Sequence, residues 1–324
     1  MIRVRSTATW VLARRAAGLL NTAIRGHGLR ILLYHHFPSQ HMKSLHEQCA
    51  LLSSRYRPMA LSDAIARLQN GEPLPRNAIA VTVDDGYADY AESGVECFLK
   101  FEIPSTVFVC ERLIEGHWLW YDRVEYAFAC TRRGKLSISD GPWGPSRSYA
   151  AGSNNEKQAS LRRALAEAKR MPSSVVDAFV DAIELAAEIG PSAAPVDPWQ
   201  GMSWETLRTI ASHELVSVGA HTANHPILSR LEDPFALRDE IAGCRERISR
   251  KLGSDVDFFA YPNGQPEDLS PEVVSLVREA GYSAAFTTTQ GVNRRRHDPI
   301  LLPRIAFRPD HPVAMLDDAL ACAR

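Results

Sequence analysis

Cysteine is sparse in this sequence. Its six residues, Cys49, Cys97, Cys110, Cys130, Cys244 and Cys322, are scattered through 324 positions with no C-x-x-C pair. A disulfide framework is therefore the less favoured reading, because such frameworks belong to short chains dense in cysteine. Cys97 and Cys110 stand in apolar surroundings, as buried free thiols do. Excess charge is lacking as well. A formal net charge of -1 gives no global reason to expect a nucleic acid partner. Acidic residues are missing at the start: no Asp or Glu precedes Glu47, while Arg3, Arg5, Arg14, Arg15, Arg25, Arg30 and Lys43 do. Arg14 and Arg15 interrupt the apolar run from Ala8 to Ile24, so it is neither a secretory core nor a membrane span. Residues 1–29 read as a basic helix with Leu12, Ala16, Leu19, Leu20 and Ala23 on one face. It is expected to pack on the domain, with peripheral contact to an anionic membrane as the competing reading. The localisation these features suggest is cytoplasmic, with membrane association through that helix as its variant.

What is present fits a soluble globular protein: 45% apolar and 23% charged residues, in a length that suits one large α/β domain or two smaller ones. Short apolar runs at Arg30–Tyr34, Ala78–Val83, Ser105–Cys110, Leu215–Gly219, Phe258–Tyr261, Ser283–Thr288 and Leu301–Phe307 predict strands. Several are continuously apolar, as parallel strands covered on both faces are. Helical patterns lie between them at Leu61–Gln69, Tyr90–Phe101, Trp204–Ser212, Pro234–Leu252 and Pro271–Ala280. This alternation predicts a βα barrel or a doubly wound sheet. Residues 131–200 break the rhythm. They open with Gly141-Pro-Trp-Gly-Pro145, continue as Ala-rich helices at Glu156–Lys169 and Ser173–Ile189, and read as a helical insertion between the third and fourth strands.

Two segments carry chemistry. Asp84-Asp85-Gly86 follows one strand and His221-Thr-Ala-Asn-His225 follows another. Neighbouring carboxylates resist joint ionisation unless a cation lies beside them. Two histidines four apart can ligate one ion from a tight loop. Alone, each motif is weak, since Asp-Asp-Gly is common in turns and paired histidines are common on surfaces. Together, at the strand ends where barrel enzymes carry their sites, they suit a hydrolytic metal centre with one carboxylate left as a base.

These segments resemble the polysaccharide deacetylase family of the NodB-homology, carbohydrate esterase type. Thr82-Val83-Asp84-Asp85-Gly86 is similar to its T-F-D-D-G motif, and His221–His225 to its H-[ST]-x-x-H motif. Phe259-Ala260-Tyr261-Pro262-Asn263-Gly264 resembles its P-Y-G segment in a Y-P-x-G form, and Ala280–Thr288 its A-G-Y-x-A-A-x-T strand. Leu33-Tyr34-His35-His36-Phe37 resembles the Y-H segment of the branch acting in exopolysaccharide synthesis. The resemblance runs from about residue 30 to 308 apart from the insertion.

It implies a distorted (β/α) barrel and a divalent metal, zinc first with cobalt or nickel as substitutes, held by Asp85, His221 and His225. Asp84 would be the general base, and a backbone N–H at Asn263 would help hold the oxyanion. The family's Arg in the P-Y-G segment is Ala260 here, so Arg304 is expected to orient the base. The family's C-terminal L-x-H is not recognisable, which leaves His35 as the candidate acid, ahead of His36, His297 and His311. The supporting Trp segment is not identifiable either. Tyr261, Trp120 and Tyr121 are the candidate substrate contacts, with core packing as the alternative for the two aromatics after the third strand. The implied partner is a carbohydrate bearing N-acetyl groups, and the implied reaction is hydrolysis of the acetamido group of an N-acetylhexosamine in a polysaccharide or lipid-linked glycan. A deformylase of a formamido sugar and a non-catalytic carbohydrate binder are the competing functions.

Overall fold

A computed structural model describes residues 28–190 and 194–323. The predicted basic helix at 1–29 therefore lies almost wholly outside the described residues. Among these, no helix is long and apolar enough to cross a membrane.

Seven parallel strands run in the order β10-β1-β3-β4-β7-β8-β9: β1 (Arg30–Tyr34), β3 (Ala78–Val83), β4 (Ser105–Val109), β7 (Val216–Ala220), β8 (Phe258–Ala260), β9 (Ala284–Phe286) and β10 (Ile305–Ala306). The short β2 (Arg57–Pro58) pairs with β3 off this path. The sheet curls, and residues 302–307 join its ends. The amide of Leu302 donates to Ala285 and that of Thr287 to Leu302, while the amide of Phe307 donates to Leu33. Only Ile305–Ala306 of the predicted Leu301–Phe307 strand is regular, because the segment changes partners along its length.

β1, β3 and β4 are buried at every position. Alternation along them sorts side chains to two faces. Ile31, Ala80, Phe108, Ala260 and Phe286 form the inner cluster, joined by Leu61, Ile65 and Leu68 of the Leu61–Asn70 helix. Leu32, Val81, Val83, Val107 and Phe259 face the surrounding helices. Each such buried aliphatic side chain contributes roughly 1.5–3 kcal/mol, so this two-sided burial is what makes the strands continuous apolar runs.

The predicted helices are present with shifted ends. The Pro234–Leu252 helix starts at an Asp233 cap, whose Oδ1 accepts from the amide of Phe235, and stops at Gly253 with φ 74°. Sequence periodicity missed the helices Met42–Arg55, Trp120–Cys130 and Val313–Cys322. Gln48 explains the first. It occupies a buried position, where its amide donates to the carbonyls of Arg308 and His311, so the apolar repeat is broken by a polar residue.

The segment after β4 loops out of the barrel and returns at β7, which pairs with β4. It has its own apolar cluster, in which Val124 and Phe128 meet Phe179, Val180 and Ile183. Its core thus begins at Trp120, upstream of residue 131. It is not purely helical: β5 (Lys135–Ile138) and β6 (Arg147–Ala150) make an antiparallel hairpin ahead of the helices Asn154–Ala168 and Ser173–Ala187.

Candidate metal centre and active site

The rim at the C-terminal ends of β3, β7 and β8 gathers the predicted residues. The amide of Asp84 donates to the carbonyl of Tyr34 at 2.9 Å, so the ladder continues one residue past β3. The alternation of the strand then turns the Asp84 side chain inward, in line with Ala80 and Thr82. It is buried and gripped by Arg304, whose Nη1 and Nη2 each lie 2.7 Å from one carboxylate oxygen. This is the bidentate geometry that makes Arg–carboxylate pairs strong. Arg304 is itself fully buried. Its Nε donates to the carbonyl of Thr287 at 3.0 Å, Nη1 to Thr82 Oγ1 at 3.2 Å, and its guanidinium lies over the Phe108 ring. Burial pushes the Asp84 carboxyl up, but Arg304 and His221 outweigh it and hold the pKa below the ordinary value.

Asp85 leaves the strand with φ 73° and Gly86 follows at φ 94°. A Cβ at Gly86 would come within 2.8 Å of Ile114, so the turn needs glycine for space as well as conformation. Asp85 Oδ1 is buried with no hydrogen-bond partner, and it lies 3.4 Å from both His221 Nε2 and His225 Nε2. Donor atoms on a tetrahedral ion with bonds of roughly 2.1 Å stand about 3.4 Å apart. A buried, orphaned carboxylate oxygen at that spacing from two imidazole nitrogens fits a zinc-class ion, and the three donors form a compact group within 4.8 Å. Burial would raise the Asp85 carboxyl, yet the surrounding imidazoles hold it far below the ordinary range.

The two histidines are set differently. His221 Nδ1 is 2.7 Å from the carbonyl of Ala260, which fixes the N–H on that side and turns Nε2 to the centre. Burial lowers the His221 pKa, and Asp84 and Asp85 more than reverse it, so the net shift is upward. Burial dominates at His225, whose pKa falls to about 3, leaving it neutral and ready to ligate.

Among the described residues, four of the seven non-glycine positions with positive φ sit at this rim: Asp85, Thr222 (66°), His225 (58°) and Asn263 (56°). Such backbone costs of order 1–3 kcal/mol per residue, most for a branched side chain such as Thr222. Tertiary bonds hold it. Thr222 Oγ1 accepts from the amide of His225 at 3.0 Å. Glu240, buried, accepts from the amides of Ala223 and Asn224 at 2.9 Å each and from Asn224 Nδ2 at 2.7 Å. Sequence reading missed Glu240. Its signal is a charged residue next to Ile241 and between Leu237 and Cys244 on the buried side of the helix.

His35 follows β1 at the lip, open to solvent on one side. The surrounding protein lowers its pKa by desolvation, Asp85 and Asp84 oppose this, and Arg304 and His221 reinforce it, which puts the imidazole within electrostatic reach of all four. His36 instead pairs with Asp89 at 3.2 Å and stacks on Tyr87 at 3.8 Å. Trp120 and Tyr121 reach the rim from the outlying segment. Trp120 Nε1 donates to the carbonyl of His225 at 3.1 Å, and the Tyr121 ring meets the His225 ring edge-on at 4.8 Å. Asp122 accepts from Tyr87 Oη at 2.9 Å.

One candidate fails. Tyr261 is fully buried, its ring against Phe259 and its hydroxyl donating to the carbonyl of Ile300 at 3.0 Å. It is a core residue and cannot touch substrate, because the ladder extends through it (its amide donates to Phe286) and turns its side chain to the outer apolar layer. Asn263 lies two residues further, in the exit loop, where its carbonyl accepts from Thr288 Oγ1. His297 and His311 take no part in this cluster: His297 lies in the 289–303 loop and His311 packs on Phe307.

No curated protein sequence matches the chain significantly. Solved structures do match in fold. A Streptococcus pyogenes deacetylase, PplD, in complex with acetate superposes with a TM-score of 0.58 at 14% identity, covering 90% of this chain and 98% of its own. IcaB from Ammonifex degensii gives 0.57 at 18% identity, covering 92% and 98%. The deacetylase domain of BpsB from Bordetella bronchiseptica gives 0.55 at 15%, covering 87% and 97%. The fold is therefore the distorted (β/α) barrel of the NodB-homology type. Residues 176–285, which include both rim histidines, match the polysaccharide deacetylase family model. The chain thus shares the barrel of these deacetylases and, over residues 176–285, is similar to the polysaccharide deacetylase family.

Proposed function

We propose that the protein is a metal-dependent N-deacetylase that hydrolyses the acetamido group of an N-acetylhexosamine unit in a glycan. The observation that carries this reading is the orphaned Asp85 Oδ1, 3.4 Å from two imidazole nitrogens, next to a second aspartate held ionised by a buried arginine. Asp85, His221 and His225 would hold the ion. A zinc-class ion there would polarise the acetamido carbonyl and lower the pKa of water toward about 7.

The chain's own groups supply the rest. Asp84 takes the proton of the attacking water, and the Arg304 fork keeps the carboxylate charged and aimed. Because Asp84 is already ionised when the site is empty of substrate, no deprotonation step precedes attack. The backbone N–H at Asn263, on a loop locked by its φ of 56°, is the donor for the developing oxyanion. His35 delivers a proton to the leaving amine from the lip, where it exchanges with solvent between turnovers. His36 is the weaker candidate, since Asp89 and Tyr87 engage its ring. Tyr121 forms a wall beside His225 against which the sugar would sit.

The test is acetate release from N-acetylglucosamine oligomers and lipid-linked N-acetyl sugars by metal-stripped protein, alone and after adding zinc, cobalt or nickel. Metal-restored release that Asp84→Asn abolishes is the expected outcome. Protein that binds no divalent metal would sink the reading.

A further inference from the structure

The strained His221–His225 loop is held from two sides. On one side stands the short helix Glu111–Ile114, which follows β4. The amide of Glu111 donates to the carbonyl of Thr222 at 3.2 Å, and that of Arg112 to the carbonyl of Ala223 at 2.8 Å. On the other side Glu240, in the Pro234–Leu252 helix, accepts from the amides of Ala223 and Asn224. Both sets of bonds close only if the two helices keep a fixed separation, and one side chain spans it. Arg247, two turns on from Asp239 in the same helix, reaches across to Glu111, its Nε lying 2.9 and 2.7 Å from the two carboxylate oxygens. Asp239, the neighbour of Glu240, grips the far end of the guanidinium, at 2.6 Å from Nη1 and 3.2 Å from Nη2. We infer that Arg247 is a positioning residue for the metal-ligand loop: it clasps the two helices whose groups hold His221 and His225 in place. The inference goes beyond the deacetylase reading and rests on the metal assignment only for its effect on affinity.

Three features set this clasp apart from an ordinary surface ion pair. First, it uses both ends of a planar guanidinium on two carboxylates, a geometry that the point charge of lysine cannot reproduce. Second, the Glu111 carboxylate is buried and has no other hydrogen-bond partner among the described residues. Losing the guanidinium would leave a buried carboxylate unpaired in the helix whose amides feed the loop. Third, Gly243 keeps space for the fork. Its backbone is ordinary helix (φ -60°, ψ -43°), where propensity favours alanine. A Cβ there would overlap Asp239 Oδ1 and come within 2.9 Å of Arg247 Nη1. The helix also widens into a π turn over Asp239–Gly243, a distortion that gathers at functional sites. Propensity and regular geometry are thus both given up where the clasp closes.

Two measurements on the full chain test this together. Hydrogen exchange of the 221–225 amides is read by mass spectrometry on metal-free protein, and zinc affinity by competition with a chelator. Arg247→Met is expected to speed loop exchange by about tenfold. It is also expected to weaken zinc binding by roughly 10–100-fold, as lost outer support of metal ligands does. Gly243→Ala pushes Asp239 off the guanidinium while favouring the helix. It is expected to shift both readouts in the same direction by a smaller factor, with no fall in the thermal midpoint. A lower midpoint in Arg247→Met, with loop exchange and zinc affinity unchanged in both variants, would make the network an ordinary stabilising pair and overturn the inference. Faster exchange with undiminished zinc affinity overturns it as well. If Arg247→Met does not fold, Gly243→Ala decides alone. If the native protein binds no zinc, the metal reading fails, and loop exchange by itself decides whether the clasp stands.

Discussion

At the rim of the candidate metal centre, non-glycine residues hold positive φ, and the buried carboxylates of Asp84 and Glu240 are matched by partners from distant parts of the chain. In the segment that loops out between β4 and β7, backbone is held more locally, as one of its helices shows. The helix Asn154–Ala168 opens with a capping box, in which Ser153 Oγ accepts from the amide of Glu156 and Glu156 Oε2 accepts from that of Ser153. Charges pair between the segment's own helices, as Arg123 of Trp120–Cys130 does with Asp181 and Glu184 of Ser173–Ala187. The contrast shows where the fold spends stability. The segment is held by propensity and apolar contact, so it tolerates change. The rim holds strained backbone and buried charge in place with bonds from distant elements, so losing one partner exposes the whole cost.

Substitutions across the two regions can break this comparison. The largest effect is expected at the base: Asp84→Asn should lower kcat by roughly 10²–10⁴ while the metal, measured by elemental analysis, stays stoichiometric. Loss of metal together with activity would mean that Asp84 is a ligand and that the division between the two aspartates is wrong.

Next comes Arg304→Met. Breaking a buried ion pair costs about 3–5 kcal/mol, which denaturant unfolding would read. The pH profile sharpens the point. Arg304 holds the Asp84 pKa below its ordinary value against burial, so the base form is lost only as pH falls through that lowered pKa. Without the guanidinium, burial acts with less opposition, and the acid limb of kcat/KM should move to higher pH. An unmoved limb would reduce Arg304 to a packing residue.

Glu240→Gln is milder. The carboxylate accepts three hydrogen bonds that shape the His221–His225 loop, and the amide keeps the volume but loses acceptors. Losing such outer support of metal ligands typically weakens affinity about 10–100-fold, which competition with a chelator would measure. The smallest effect belongs to the outlying segment. Ser153→Ala should cost about 1 kcal/mol in thermal unfolding and leave metal affinity and turnover unchanged. A catalytic defect there would show that the segment's helices are coupled to the rim more tightly than its local construction implies.

Much of the rim was legible because strand and turn chemistry announce themselves. β1 and β3 run over the residues that their apolar runs mark, and Asp84, Asp85, His221 and His225 converge as their positions after strands require. Tyr261 was misread because an apolar run cannot say to the residue where a strand ends, and one further ladder bond buries that side chain. Glu240 was missed because its local signal, a carboxylate among the apolar positions of its helix, does not say which distant amides it holds. The hairpin Lys135–Ile138 with Arg147–Ala150 was missed because Gly and Pro mark its loop more loudly than its short alternating strands mark themselves.

The sequence by itself determined the alternation of strands and helices, the two acidic and imidazole motifs, and the caps and stops of several helices. These depend on side-chain period and on backbone preference within a few residues. Only the tertiary structure decided that Arg304 reaches Asp84 across 220 positions, that Glu240 holds the histidine loop, and that Trp120 joins the outlying segment to His225. Each of those is a contact between groups distant in the chain, whose worth comes from shared burial, and burial is a property of the folded whole.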